Sequence, residues 1–241
     1  MERIGENIWI VEGGNVDFYG FPYPTRSVII RLPDGGLWIW SPIALTPELK
    51  AEVESLGSVK HLISPNKIHY LFLKDWKAAW PEAQLWGPQS TLDKLRKMHG
   101  DAEFERSFAG MAPLDQTAPV DWQGALDLVR FTGSVFMDEL VFHHVESDTV
   151  ILADLSENFD CEFIKNNWSK WTHKFAHFWG ITVESGGKAP LEWRLSWFNK
   201  KQARAAREKV LSWGPRQVIM AHGAWQRENG RAFLEKSLSW I

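Results

Sequence analysis

One cysteine in 241 residues, Cys161, rules out an internal disulfide framework and a cysteine-built zinc site, and agrees with a reducing compartment. No stretch approaches the roughly 18 consecutive apolar residues of a membrane span, and the opening Met1-Glu-Arg-Ile-Gly-Glu lacks a basic segment followed by an apolar run. Excess charge of one sign is missing too. With 27 Lys+Arg against 30 Asp+Glu, the formal net charge of -3 offers no electrostatic footprint for nucleic acid or an anionic membrane surface. There is no phosphate-cradling glycine loop, no Gly-x-Ser-x-Gly elbow and no internal repeat. Ser64 and Ser134 have no partnered base in sequence, so a serine hydrolase is unsupported. These absences lead us to expect a cytoplasmic protein whose partners are neither nucleic acid nor membrane.

A hydrophobic content of 44% is enough for one large core, and a single domain over residues 1–241 is expected. Residues 7–11, 26–32 and 37–40 read as strands, the last two joined by the hairpin turn Pro33-Asp-Gly-Gly36. Thr46 followed by Pro47 starts a helix that Gly57 ends. The stretch around which the chemistry is organised follows: Val59-Lys-His-Leu-Ile-Ser-Pro-Asn-Lys-Ile-His69. It reads as a buried strand, a turn at Ser64-Pro65-Asn66, and a helix over residues 67–80, with His69 at or just inside the helix start. Residues 84–86 read as a strand, 88–98 as a helix and 101–124 as mostly irregular. Strands are expected at 127–131, 139–145, 149–155 and 217–221, with helices at 199–213 and 228–240.

The run Ser64-Pro65-Asn66-Lys67-Ile68-His69, with Thr149-Val-Ile-Leu-Ala-Asp154-Leu and Val218-Ile-Met-Ala-His222-Gly later, resembles the metallo-β-lactamase fold. Aligned on its last histidine, that fold's His-x-His-x-Asp-His loop is reduced here to His69. Phe131-Thr-Gly-Ser134 stands where a Pro-Gly-His segment would be. More narrowly, the pattern is similar to a degenerate branch of the superfamily defined as a domain of unknown function. The resemblance spans roughly residues 7–235. It implies a four-layer αβ/βα sandwich of two mixed β-sheets, with His69, Asp154 and His222 gathered at one end.

In the resembled family these three residues form one half of a two-metal site, and two imidazoles with a carboxylate suit one zinc or iron ion. Ser64, Asn66 and Ser134 stand where three histidines would, and Ile68 replaces the aspartate that orients the attacking water. The three residues hold a single ion, form a metal-free remnant in which they hydrogen-bond to one another, or belong to a site completed by other ligands. Hydrolysis of the two-metal kind is not expected. Asp138 and Glu139 are polar residues at the site end of the central hairpin. If that hairpin pairs symmetrically about Ser147, Asp154 lies opposite Leu140 and His144 is about 13 Å away, at ~3.3 Å per residue, too far to share an ion with it.

Two further features compete for a role. His173 and His177 share a helical face, but the position of a zincin's glutamate is Lys174 and no third ligand is in sight, so polar surface is preferred. Residues 167–199 concentrate aromatic side chains, which pack on the sheet, line a groove or form a homodimer interface. Two functions remain: a mononuclear metal-dependent hydrolase of unspecified substrate, or a non-catalytic protein that keeps the fold and its cleft to bind a ligand or partner.

Overall fold

The computed structural model describes residues 1–168 and 176–241. Two sheets lie face to face. The first has seven strands in the order β1 (Glu2–Gly5), β2 (Ile8–Phe18), β3 (Phe21–Arg31), β4 (Leu37–Trp40), β5 (Val59–Ile63), β6 (Gln84–Gly87), β7 (Ala112–Pro113). It is antiparallel as far as β4 and parallel from there to β7. The second runs β11 (Gln217–Ile219), β10 (Thr149–Ile151), β9 (Glu139–His144), β8 (Leu126–Phe131), antiparallel except for β10 with β11.

Period-two alternation splits each strand between two cores. Ile8, Ile10, Val28, Ile30, Trp38 and Trp40 face the second sheet, where they meet Leu126, Leu128, Leu140, Phe142, Ile151 and Ile219. Trp9, Ile29, Leu37, Ile39 and Leu62 point the other way. They pack under α1 (Pro47–Leu56), α2 (Leu73–Ala79), α3 (Gln89–His99) and α4 (Asp101–Ser107). The outer face of the second sheet is covered by α6 (Leu191–Leu195), α7 (Lys201–Ser212) and α8 (Gly230–Ser237). The layers are therefore helix, sheet, sheet, helix, and strands such as β4, buried on both faces, read as unbroken apolar runs.

Local chemistry accounts for the boundaries. Thr46 caps α1 by accepting the Leu49 amide at 3.2 Å, with Pro47 at the first helical position. Three readings need correction. Residues 101–124 are not mostly irregular: they hold α4, β7 and a short 3-10 turn at Val120–Trp122. Phe104, at 1% exposure, anchors α4 to the outer core, a tertiary contact that local periodicity does not record. The helix after β5 begins at Leu73 rather than near Lys67, so His69 sits in the turn before it, with its amide on the Asn66 carbonyl at 3.3 Å. The first strand pair is also longer than expected. β2 and β3 have 11 residues each and form a hairpin with a bulge between Glu12 and Asn15.

Of the aromatic segment, Trp168, Trp193 and Trp197 are buried within the chain, whereas Phe178 and Phe198 are exposed. α5 (Cys161–Asn167) leads into it and packs with Trp168, Phe159 and Ile181 in a small separate core. His173 lies outside the described residues. His177 Nδ1 is 3.5 Å from Thr182 Oγ1.

Two buried histidines outside the site give the fold an acid limit. Burial holds His61 down to about 4 against the opposing pull of Asp121, and burial likewise holds His144 down to about 4 against Glu146. Both stay neutral in the folded chain while their unfolded counterparts titrate near 6.5. The stability they carry is thus complete above about pH 6.5 and is lost as the pH falls toward 4. Between pH 7 and pH 5 each should cost roughly 2 kcal/mol. Urea unfolding of wild type and the H61N/H144N double variant at the two pH values checks this: the double variant should lose roughly 3 to 4 kcal/mol less. Equal losses would refute it.

Candidate metal centre

The turn that carries His69 is fixed from several directions. Ser64, fully buried, sets its Oγ 2.8 Å from the Asn66 carbonyl and 3.0 Å from the His69 carbonyl. Asn66 Oδ1 accepts the Ile68 amide at 3.0 Å, closing an Asx turn. The Pro65 carbonyl accepts Leu140 N at 2.9 Å, tying the turn to the second sheet. Ser64 therefore shapes the loop rather than facing the centre.

Across the sheet, the β9–β10 turn occupies residues 145–148, with Asp148 at φ 48, so Thr149 pairs with His144 and Ile151 with Phe142. The register differs by one residue from symmetry about Ser147, and a one-residue slip moves every facing pair. It brings Glu139, not Leu140, opposite Asp154. Glu139 Oε1 accepts Ala153 N at 2.8 Å, and Oε2 accepts Asp154 N at 2.9 Å and Asn66 Nδ2 at 3.1 Å. Its carboxylate continues the ladder where the strand ends. Asp138 turns away, bonded to Ser90 Oγ and to Arg130 Nε, the latter at 2.7 Å. Ser134 also lies elsewhere, 2.6 Å from Ser196 Oγ and accepting Trp193 Nε1 at 3.1 Å. His144 bonds Ser147 Oγ at 2.8 Å, and His143 stacks on Trp213.

His69, Asp154 and His222 do come together, with one ligand atom from each lying within 4.8 Å of the others. His69 Nε2 is 3.2 Å from Asp154 Oδ2, and His222 Nε2 is 3.3 Å from Oδ1. Asn66 Nδ2 donates to Asp154 Oδ2 at 2.7 Å. The far side of each imidazole is held as well. His69 Nδ1 is 2.8 Å from Ser41 Oγ, and Ser41 is kept at φ 48, an unfavourable conformation for a non-glycine residue. His222 Nδ1 is 2.7 Å from the Pro24 carbonyl.

A carbonyl can only accept, so Nδ1 of His222 carries a proton and, in the neutral ring, Nε2 is bare. That lone pair faces a carboxylate, an arrangement that needs a proton or a cation between the two. Backbone or carboxylate capture of the outer nitrogen is how metal-binding histidines are oriented. Bonds of about 2.0–2.2 Å in a tetrahedral shell place ligand atoms roughly 3.3–3.5 Å apart; the two imidazole–carboxylate separations, one to each oxygen of Asp154, are about that size, and one ligand atom from each residue lies within 4.8 Å of the others. These donors fit zinc or iron.

Burial would lift the Asp154 carboxyl, but the charge of His69 and the two imidazoles beside it hold it well below the usual range. Burial would lower His69, and Asp154 outweighs this and raises it. Glu139 is pushed up to about 7 by burial and then by Asp154, against its N–H donors. Glu157, 2% exposed, is raised well above its usual value by burial and by Asp154, and accepts the Tyr23 hydroxyl at 3.3 Å. Sequence reasoning missed this outer shell. Pro24, Tyr23 and Ser41 carry no local signal, because their partners His222, Glu157 and His69 lie in turns and loops far away in sequence.

Gly223 follows His222 at φ 87, and a Cβ there would lie 2.3 Å from the Asn158 backbone. Gly223→Ala should therefore destabilise the fold by about 2–4 kcal/mol and displace His222. Thermal unfolding reads this, and a variant within about 0.5 kcal/mol of wild type would count against it.

This architecture is the metallo-β-lactamase-like fold. Within it, the chain belongs to the family described as a domain of unknown function (DUF4336), which matches residues 5–163. Solved structures agree on the fold. The DIM-1 metallo-β-lactamase superposes with a TM-score of 0.65 at 13% identity, covering 99% of this chain and 94% of that one. FIM-1 from Pseudomonas aeruginosa, in a mono-zinc form, gives 0.61 at 11% identity, over 99% and 92%. The flavodiiron protein from Giardia intestinalis gives 0.63 at 14%, over 99% of this chain and 58% of that one. Comparison with curated proteins found no match. Among the described residues no helix is long and apolar enough to cross a membrane.

Proposed function

We propose that the chain is a mononuclear metal-dependent hydrolase whose single zinc or iron ion is held by His69, Asp154 and His222. The observation that carries this is the Pro24 carbonyl on His222 Nδ1, which leaves Nε2 bare and facing Asp154. Three protein donors would leave such an ion room for a water, whose pKa it would lower, and it would polarise a carbonyl or phosphoryl oxygen. The chain's own residues prepare the place. Ser41 and Pro24 fix the two imidazoles, while Asn66 and Glu139 fix Asp154 through its side chain and its amide. Ile68 lines the cavity beside them and supplies no carboxylate.

The alternative is a metal-free binding protein, supported by imidazole–carboxylate separations that suit direct hydrogen bonds. Elemental analysis separates the two readings. The protein as purified, or after equilibration with zinc and removal of the excess, should hold about one ion per chain. None retained would favour the metal-free reading, and two would overturn the account of the lost ligands.

A further inference from the structure

The centre opens onto a cavity of about 500 Å³, within the range of small-molecule sites. Its walls carry two features that the ion leaves unused. The first is a pair of lysines. Lys94 Nζ donates to the Lys67 carbonyl at 2.9 Å and lies 4.5 Å over the Tyr70 ring, so it is held against the wall beside Lys67. Among the described residues neither ammonium has an acidic partner, whereas Arg26, Lys74, Arg96, Arg130 and Arg227 each have one. The second is aromatic surface left in solvent around the same cavity: Phe18 at 39%, Tyr19 at 88% and Phe136 at 56% exposure, with Trp193 buried behind them.

Two adjacent cations without a counter-ion invite an anion, and aromatic faces at a cavity mouth invite apolar bulk. We propose that the cavity binds an anionic amphiphile, with its negative group at Lys67 and Lys94 and its apolar body across Phe18, Tyr19, Phe136 and Trp193. This deepens the hydrolase reading by giving its substrate class, an ester or thioester of an apolar acid that carries one negative charge. It rests on that reading only for where the bond would be cleaved. Most acids on the same wall are engaged: Asp17 accepts Gly20 N at 3.2 Å, Glu157 accepts Tyr23, and Asp154 faces the imidazoles. Glu192 is the exception, which makes a cationic amphiphile the competing ligand.

The test is calorimetric titration with decanoate, acetate and decyltrimethylammonium below their aggregation concentrations, on protein as purified and after chelator treatment. Decanoate should bind at least tenfold more tightly than either of the others, in both preparations. K67Q should weaken decanoate severalfold, K67Q/K94Q about tenfold or more, and F136S severalfold, with unfolding midpoint and metal content unchanged. Equal or tighter binding of decyltrimethylammonium, or wild-type decanoate affinity in K67Q/K94Q, would overturn the proposal. Because the chelated protein is titrated too, failure of the ion reading leaves this result interpretable, and the converse holds.

Discussion

Glu139→Ala should lower the free energy of unfolding by about 3–5 kcal/mol, the largest stability loss expected for a single side chain at this site. The carboxylate is fully buried, and its loss would take the acceptor from the amides of Ala153, Asp154 and Leu155 and from one N–H of Asn66, whose other bond to Asp154 remains. A lost net hydrogen bond costs about 1 kcal/mol, but a buried donor left unpaired costs its full desolvation, and here there are several. Glu139→Gln keeps the shape while turning one acceptor into a donor that faces other donors, so it should fall between alanine and wild type. Urea unfolding measures both. A loss under about 1 kcal/mol for alanine would mean that these amides find other partners.

The second large effect concerns the ion. Asp154→Ala removes the carboxylate that both imidazoles face, and bound zinc should drop from about one per chain to less than about a tenth. Ser41→Ala keeps all three ligands and removes only the group beside His69 Nδ1. Loss of such an orienting contact costs about 10–100-fold in metal affinity. Competition with a chromophoric chelator should therefore rank wild type above Ser41→Ala above Asp154→Ala. If Ser41→Ala bound zinc as tightly as wild type, the serine would have no orienting role; if Asp154→Ala did so, the ion would be held elsewhere.

How far the sequence could be read depended on whether a residue's partner is local. β4, β5 and α1 were legible because continuous apolar runs, a proline and a capping threonine sit in or directly beside the elements. Asp154 and His222 were picked out by the resemblance of the segments that carry them, and each follows a buried strand. The register of the central hairpin was not. Whether its turn holds three residues or four depends on Asp148 adopting a positive φ, and that single choice decided between Leu140 and Glu139 as the neighbour of Asp154. Ser134 was aligned with a ligand position, but its hydroxyl is taken up by Ser196 and Trp193, contacts about sixty residues away. The start of α2 was read too early because Asn66 and Ser64 spend their side chains on the turn around His69.

The long β2–β3 hairpin also imposes an order of events. Its Pro24 carbonyl meets a side chain 198 residues later, and Arg26 donates to the carbonyls of Met220, at 2.6 Å, and Gly223, at 2.8 Å. During synthesis the hairpin can pair with β1 and β4 early, but the partners of Pro24 and Arg26 arrive only with residues 220–223. Contacts of such sequence separation are slow to form. The centre should thus be among the last features to appear in refolding, so zinc capture would time the docking of one sheet onto the other. A chain cut before β11 would leave the Arg26 guanidinium without either of those carbonyls.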